Sequence, residues 1–246
     1  MQDQPFDPPK PVTEIWRPDL IVLPRLTFSR RAFRLIFRGA MRLLGGSLMK
    51  VTVKGLENFP KKGPALIVGN HSGNADVVIG SGFLPYSIDW IGKIENRDDH
   101  WLAGPAFRAY GFIWIHRGKP DRRAMRVALE ALAEGRMIVM SPESRQTLTG
   151  GLEEGTDGAT FLALKSGAPV VPVAMTGTQN SNIYGSLKKW KRAEVGLMVG
   201  KPFYIEEQAV RRNTMREGTR RIMEEIARLL PEEYRGKYNY VSQPDF

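Results

Sequence analysis

An α/β fold is predicted here: a mainly parallel or mixed central sheet flanked by helices, with a basic amphipathic helix before it. Short apolar runs alternate with helical patterns from residue 50 onward. No internal repeat or long linker interrupts that alternation. The 246 residues are 42% hydrophobic and 25% charged, which suits one sizeable globular core. Two units are expected: residues 1–49, an extended arm plus an amphipathic membrane-interface helix, and residues 50–246, the α/β domain.

Residues 1–19 carry five prolines and no period, so they read as an extended, weakly ordered arm. Residues 28–44 are helical in pattern. Arg30, Arg34, Arg38 and Arg42 recur every fourth position as a cationic stripe, with Phe33, Ile36, Phe37, Ala40 and Leu44 as the apolar face beside it. Gly45-Gly46 reads as the end of this helix. Such a helix either lies in a membrane interface or packs on its own domain with a solvated basic face. The acid-free run of arginines favours the membrane.

Strands are expected at residues 50–55, 65–68, 87–93, 111–116, 137–140, 170–174 and 194–199. Helices are expected at residues 121–134, 159–165 and 214–230. In the first of these Met125, Ala128, Leu129 and Leu132 share a face and Gly135 closes it.

The net charge of +10 implies anionic partners: nucleic acid, phospholipid headgroups or a phosphorylated substrate. Nucleic acid is disfavoured, because the basic stripe has no interleaved aromatic platform and no recognised binding signature accompanies it. The absence of cysteine excludes disulfides, thiolate metal sites and a cysteine nucleophile, and agrees with a cytoplasmic address. No apolar run approaches the roughly 18 residues of a membrane span, and the first residues lack a secretory-signal pattern. His71, His100 and His116 lack ligand-like spacing, so no metal is expected.

The chemistry is expected at the carboxyl ends of the strands, where open α/β sheets gather ligands. "GNHSGNAD" sits at such an end. His71 lies just past the strand and Asp76 in the first turn of the next helix, which is the spacing of a general base and the carboxylate that orients it. Gly73 permits a tight fold-back that leaves backbone N–H groups free for a ligand or an oxyanion, and Asn74 stands beside it. The plainer reading makes Asn70 or Asn74 an N-cap and His71 a turn residue. Two further strand ends weigh against it. Arg117 follows one, and Pro142, Glu143, Ser144 and Arg145 follow another; arginines beside a His/Asp pair suit a phosphate-bearing substrate. Glu143 is expected to orient an arginine or to bind a substrate hydroxyl.

Taken in order, these blocks resemble the glycerolipid acyltransferases, in particular the 1-acylglycerol-3-phosphate acyltransferases of the PlsC type. "NHSGNAD" is similar to the family's first block, "GFIWIHR" to its second, "SPESRQTLTG" to its third and "APVVPVAMTG" to its fourth. "GKIENRD" and "LLPEEYRGKY" resemble weaker family segments, and the likeness spans roughly residues 50–240. The resemblance implies His71 as catalytic base with Asp76 as partner, and acceptor-phosphate binding by Arg117. It brings Glu143, Ser144 and Arg145 into the substrate site, adds Lys93 as a further contact, and sets Pro172 near the acyl region.

It also implies acyl transfer from acyl-CoA or acyl carrier protein to a lysophosphatidate-like acceptor. That reaction needs no cofactor and suits a peripheral protein on the anionic cytoplasmic membrane face. Three departures stand out: Gly73 where many members have serine, His116 where many have aspartate, and Ser144 in place of glycine. Other readings are another glycerophosphate or lysophospholipid acceptor, an esterase or thioesterase on the same pair, and a non-enzymatic basic module.

Overall fold

The structure, a computed structural model, describes residues 9–14, 16–98, 101–118, 120–206 and 214–242, so His100 lies outside the described residues. Seven strands form one sheet: β1 (Met49–Lys54), β2 (Ala65–Gly69), β3 (Asp89–Lys93), β4 (Ile113–Ile115), β5 (Met137–Met140), β6 (Val170–Thr176) and β7 (Ala193–Val199). Their order is β1-β7-β6-β2-β5-β3-β4. Strands β2 to β6 are mutually parallel, while β7 runs antiparallel to β6 and carries the edge strand β1 parallel to itself. The mixed sheet predicted from the sequence is therefore present.

The centre of the sheet is the most apolar part. Every residue of β2 and β5 is buried, so these strands read as unbroken apolar runs rather than alternating ones. Helices α1 (Phe28–Leu48), α2 (Ala75–Phe83), α3 (Ala103–Tyr110) and α6 (Asn180–Lys188) cover one face, packing on Ala65 and Ile67. Helices α4 (Arg122–Ala133), α5 (Gly158–Ser166) and α7 (Thr214–Leu229) cover the other, packing on Leu66 and Val68. Helices α3 and α6 escaped the sequence reading. In α6 only Ile183 is buried, so no apolar period marks it.

The parallel register brings the strand ends to one edge. Val68 pairs with Met140, Gly69 with Val173 and Lys93 with Ile115. Asn70-His71, Ser141 to Glu143, Lys93 and His116-Arg117 thus emerge along the same side of the sheet.

The amphipathic helix corrects its prediction in two respects. It runs through Gly45-Gly46 to Leu48, because Gly45 packs closely on Phe83 and Val78 of α2, where a side chain has no room. Its arginine stripe also does not face solvent as a unit. Arg34 is buried, its Nη2 lying 2.5 Å from Asp89 Oδ1 and its Nε donating to the Tyr110 carbonyl at 2.9 Å. Its guanidinium stacks over the Tyr110 ring at 4.6 Å. Of the residues read as its apolar face, Phe37 is buried, whereas Ile36 and Leu44 are exposed.

Candidate active site

The turn after β2 is built round one carboxylate oxygen. Asp76 is 2% exposed, and its Oδ2 accepts from His71 Nδ1 at 2.7 Å, Ser72 N at 2.8 Å and Gly73 N at 3.1 Å. An ionised carboxylate only accepts, so His71 carries its proton on Nδ1 and turns the Nε2 lone pair outward. His71 Nε2 has no partner among the described residues, and the side chain is 32% exposed. Asn70 supports the turn from below. Its side chain donates to the Met175 carbonyl and accepts from the Met175 amide, both at 2.8 Å, tying β2 to β6. Asn74 occupies the N-cap position of α2, but its side chain makes no capping bond.

The expectation of free backbone donors after His71 does not hold. His71 N donates to Glu143, Ser72 N and Gly73 N to Asp76, and Asn74 N to Asn180 Oδ1 at 3.1 Å. These amides are consumed by holding the dyad, which a buried carboxylate requires. Gly73 lies against the Thr178 carbonyl, and a Cβ there would overlap it. The turn accommodates only glycine.

Glu143 neither orients an arginine nor faces a substrate hydroxyl. It is 1% exposed, and its two oxygens accept from His71 N and Glu153 N, each at 2.9 Å. With Thr147 N donating to the His71 carbonyl at 2.8 Å, it fixes the main chain of residue 71 from both sides. Burial pushes its carboxyl up from 4.5 to about 7, against the opposing effect of those two amides.

The folded state favours the neutral acid, so the cost of ionisation is absent below pH 4.5, grows between 4.5 and about 7, and is constant above. The unfolding free energy of the wild type minus that of Glu143→Gln is therefore expected to fall by about 3 kcal/mol across that window. Denaturant unfolding at pH 4.5, 6 and 8 measures it, and a difference that stays flat or rises contradicts the assignment.

His71 opens into a cavity of about 1640 Å³ along the polar edge. Lys93, Arg117, Ser144, Arg145, Asn74 and the dyad all line it. Arg117 has a buried Nε without a partner among the described residues, so it retains hydrogen-bonding capacity for a ligand. Arg145 is committed elsewhere, with its Nε at 2.5 Å from Glu153 Oε2 in a buried pair. Ser144 adopts φ +61°, the left-handed conformation that glycine enters more readily than other residues. Its hydroxyl turns to Thr156 Oγ1 at 2.8 Å. Asn74 accepts from Gln146 Nε2 at 2.9 Å. Pro172 is not part of the cavity lining: it is buried within β6 with its ring against Gly200, while Met175 reaches the cavity from that strand. Apolar walls come from both sheet faces, Trp90, Phe112 and Val139 on one and Ile115, Met125 and Phe161 on the other.

The arm expected to be weakly ordered is docked over its described part. His116 and Asp121 repeat the His-x4-Asp spacing, with His116 Nδ1 at 2.8 Å from Asp121 Oδ2. Here Nε2 is occupied, accepting from Arg17 N at 2.8 Å, and Trp16 stacks on the ring at 4.1 Å. Thr13 and Arg117 exchange two further hydrogen bonds, and Pro9, Lys10 and Pro11 form one wall of the cavity. His116 is thus an anchor for the arm. Glu153, which pairs Arg145 and holds Glu143 by its amide, was missed as well; nothing in the local sequence distinguishes it from its neighbour Glu154.

Comparison with known proteins fits this geometry. The Acyltransferase family model matches residues 50–176, just over half of the chain. The chain is 27% identical over 158 residues to a 1-acyl-sn-glycerol-3-phosphate acyltransferase of Bacillus subtilis, covering 63% of this chain and 74% of that protein. It is 26% identical over 162 residues to a chloroplastic 1-acyl-sn-glycerol-3-phosphate acyltransferase of Brassica napus, covering 63% of this chain but only 45% of that protein. The crystal structure of the 1-acyl-sn-glycerophosphate acyltransferase PlsC of Thermotoga maritima shares the fold, with a TM-score of 0.58, 24% identity and 80% of each chain covered. The matched segment runs from β1 to the end of β6 and contains the dyad, the Glu143 clamp and Arg117; the chain belongs to the acyltransferase family.

Proposed function

We propose that this protein transfers a fatty acyl group from an acyl thioester, carried by coenzyme A or acyl carrier protein, to the free hydroxyl of lysophosphatidate. The observation that carries the reading is a His71–Asp76 pair whose unpartnered Nε2 opens into a cavity with a cationic rim and apolar walls. His71 Nε2 takes the hydroxyl proton as the acceptor oxygen attacks the thioester carbonyl, and Asp76 stabilises the imidazolium. Collapse of the tetrahedral intermediate breaks the C–S bond, and the imidazolium returns the proton to the thiolate. Arg117, with its spare buried donor, binds the acceptor phosphate, and Lys93 adds charge beside it. Names of the matched relatives support the same substrate class. Labelled palmitoyl transfer across lysophosphatidate, glycerol 3-phosphate and other lysophospholipids tests it. Lysophosphatidate is expected to be the preferred acceptor, and preference for another glycerophosphate overturns that choice.

We further place the protein on the cytoplasmic face of an anionic membrane, through α1. Among the described residues no helix is long and apolar enough to cross a membrane. Yet Phe28, Leu35, Ile36 and Leu43 of α1 are 89%, 68%, 70% and 73% exposed, with the exposed Arg31 and Arg42 beside them. An outward apolar face edged by arginines suits insertion into the headgroup boundary. Leu35→Glu and Leu43→Glu are each expected to weaken sedimentation with anionic liposomes roughly tenfold. Undiminished sedimentation of the double variant rejects this surface.

A further inference from the structure

The cavity rim carries more cationic capacity than one acceptor phosphate uses. Three carboxylates line the cavity, and each is engaged: Asp76 with His71, Asp121 with His116 and the first amides of α4, and Asp157 with Thr219 Oγ1 at 2.7 Å. Against them stand Arg117 and, on α4, Arg122 and Arg126, whose side chains have no partner among the described residues. Glu130 stands one turn beyond Arg126 without forming an ion pair with it. These positions are not scattered on the helix. Arg122, Met125, Arg126 and Leu129 all line the cavity, and their spacing makes one stripe along α4, cationic on its exposed flank and apolar on its half-buried flank.

We propose that Arg122 and Arg126 form a second anion site at the outer rim of the cavity, taking the nucleotide phosphates of a coenzyme A thioester. The proposal rests on the acyl-transfer reading above. Two guanidiniums one helical turn apart, about 5–6 Å between their Cβ atoms, grip a phosphomonoester from both sides. Arg117 is half-buried beside the dyad, whereas the α4 pair is exposed. With Arg117 taken by the acceptor phosphate, the α4 pair suits a second substrate whose phosphates lie remote from its reacting carbon. A coenzyme A thioester has that shape, since the pantetheine arm separates its sulfur from its nucleotide. The arm would follow Met125 and Leu129 inward towards His71. A thioester on pantetheine alone carries no phosphate and gains nothing from the pair.

The test compares the wild type with the Arg122→Ala/Arg126→Ala variant, in detergent micelles so that membrane attraction is absent. Both positions are exposed and alanine favours helix, so the variant retains the fold. The KM for palmitoyl-CoA is expected to rise about tenfold to a hundredfold, from the loss of two charge-assisted phosphate contacts. The KM for lysophosphatidate, and that for the phosphate-free S-palmitoyl-pantetheine, are expected to stay within about twofold. Calorimetric binding of free coenzyme A should weaken in parallel with the palmitoyl-CoA effect. A rise confined to the lysophosphatidate KM makes the pair part of the acceptor site and overturns the proposal. So does an equal rise with both thioesters, or no change in any constant. Should the wild type transfer no acyl group at all, the acyl-transfer reading fails, while coenzyme A binding still decides the site: it must occur in the wild type and weaken in the variant.

Discussion

His71→Ala is expected to lower kcat for acyl transfer by about 10²–10⁴-fold while leaving the fold intact. The side chain is partly exposed and contributes only its bond to Asp76, so its loss opens no core cavity. The contacts that shape the turn, to Glu143 and Thr147, are made by the main chain of residue 71 and survive truncation. Asp76→Asn gives a graded counterpart. An amide oxygen at the Oδ2 position still accepts from Ser72 N, Gly73 N and the imidazole, but the charge that stabilises the imidazolium is gone. Its kcat is expected to fall with a smaller change in stability than Asp76→Ala, which strands two backbone amides and the imidazole N–H. Thermal unfolding beside single-turnover rates separates the two effects. A wild-type rate for His71→Ala removes the imidazole from the chemistry.

Gly73→Ala is the second large expected effect, and it acts through the backbone. A Cβ at this position overlaps the Thr178 carbonyl oxygen and crowds Asn180 N, neither of which can rotate away as a side chain does. Overpacking of this kind costs about 1–3 kcal/mol, and a rigid backbone contact belongs at the upper end. The turn relieves the clash by moving away from the loop after β6, which lengthens the Ser72 and Gly73 bonds to Asp76. Displacement by about 1 Å is enough to lower the rate roughly 100-fold. Gly73→Ser should behave the same way, since its Cβ meets the same carbonyl. A variant with the wild-type melting temperature and rate contradicts the packing argument.

Those two residues also show what the sequence reveals and what it hides. The strand ahead of His71 is legible because a central parallel strand is apolar throughout, and the His-x4-Asp spacing is legible because the following helix brings both side chains to one turn. The fate of the turn amides is not legible. It depends on Asp76 folding back on them, on Glu143 reaching across 72 positions, and on Asn180 approaching from another loop. The setting of the amphipathic helix is hidden for the same reason. Its period is real, but the inward direction is decided by Asp89, which takes Arg34 into the interior and leaves Leu35 and Ile36 outside. Likewise the proline-rich arm has no local pattern, yet it finds a buried acceptor in His116, whose own partner Asp121 caps α4. Long-range hydrogen bonding to backbone groups is what one chain read in order does not show.

Acyl transfer to a phosphate-bearing alcohol by the His71–Asp76 pair is tested by following thiol release from palmitoyl-CoA with and without lysophosphatidate. Thiol release is expected to require lysophosphatidate, to match phosphatidate formation one for one, and to disappear in His71→Ala. Thiol release at the same rate without acceptor, yielding free palmitate, would contradict the account and make the cavity that of a thioesterase.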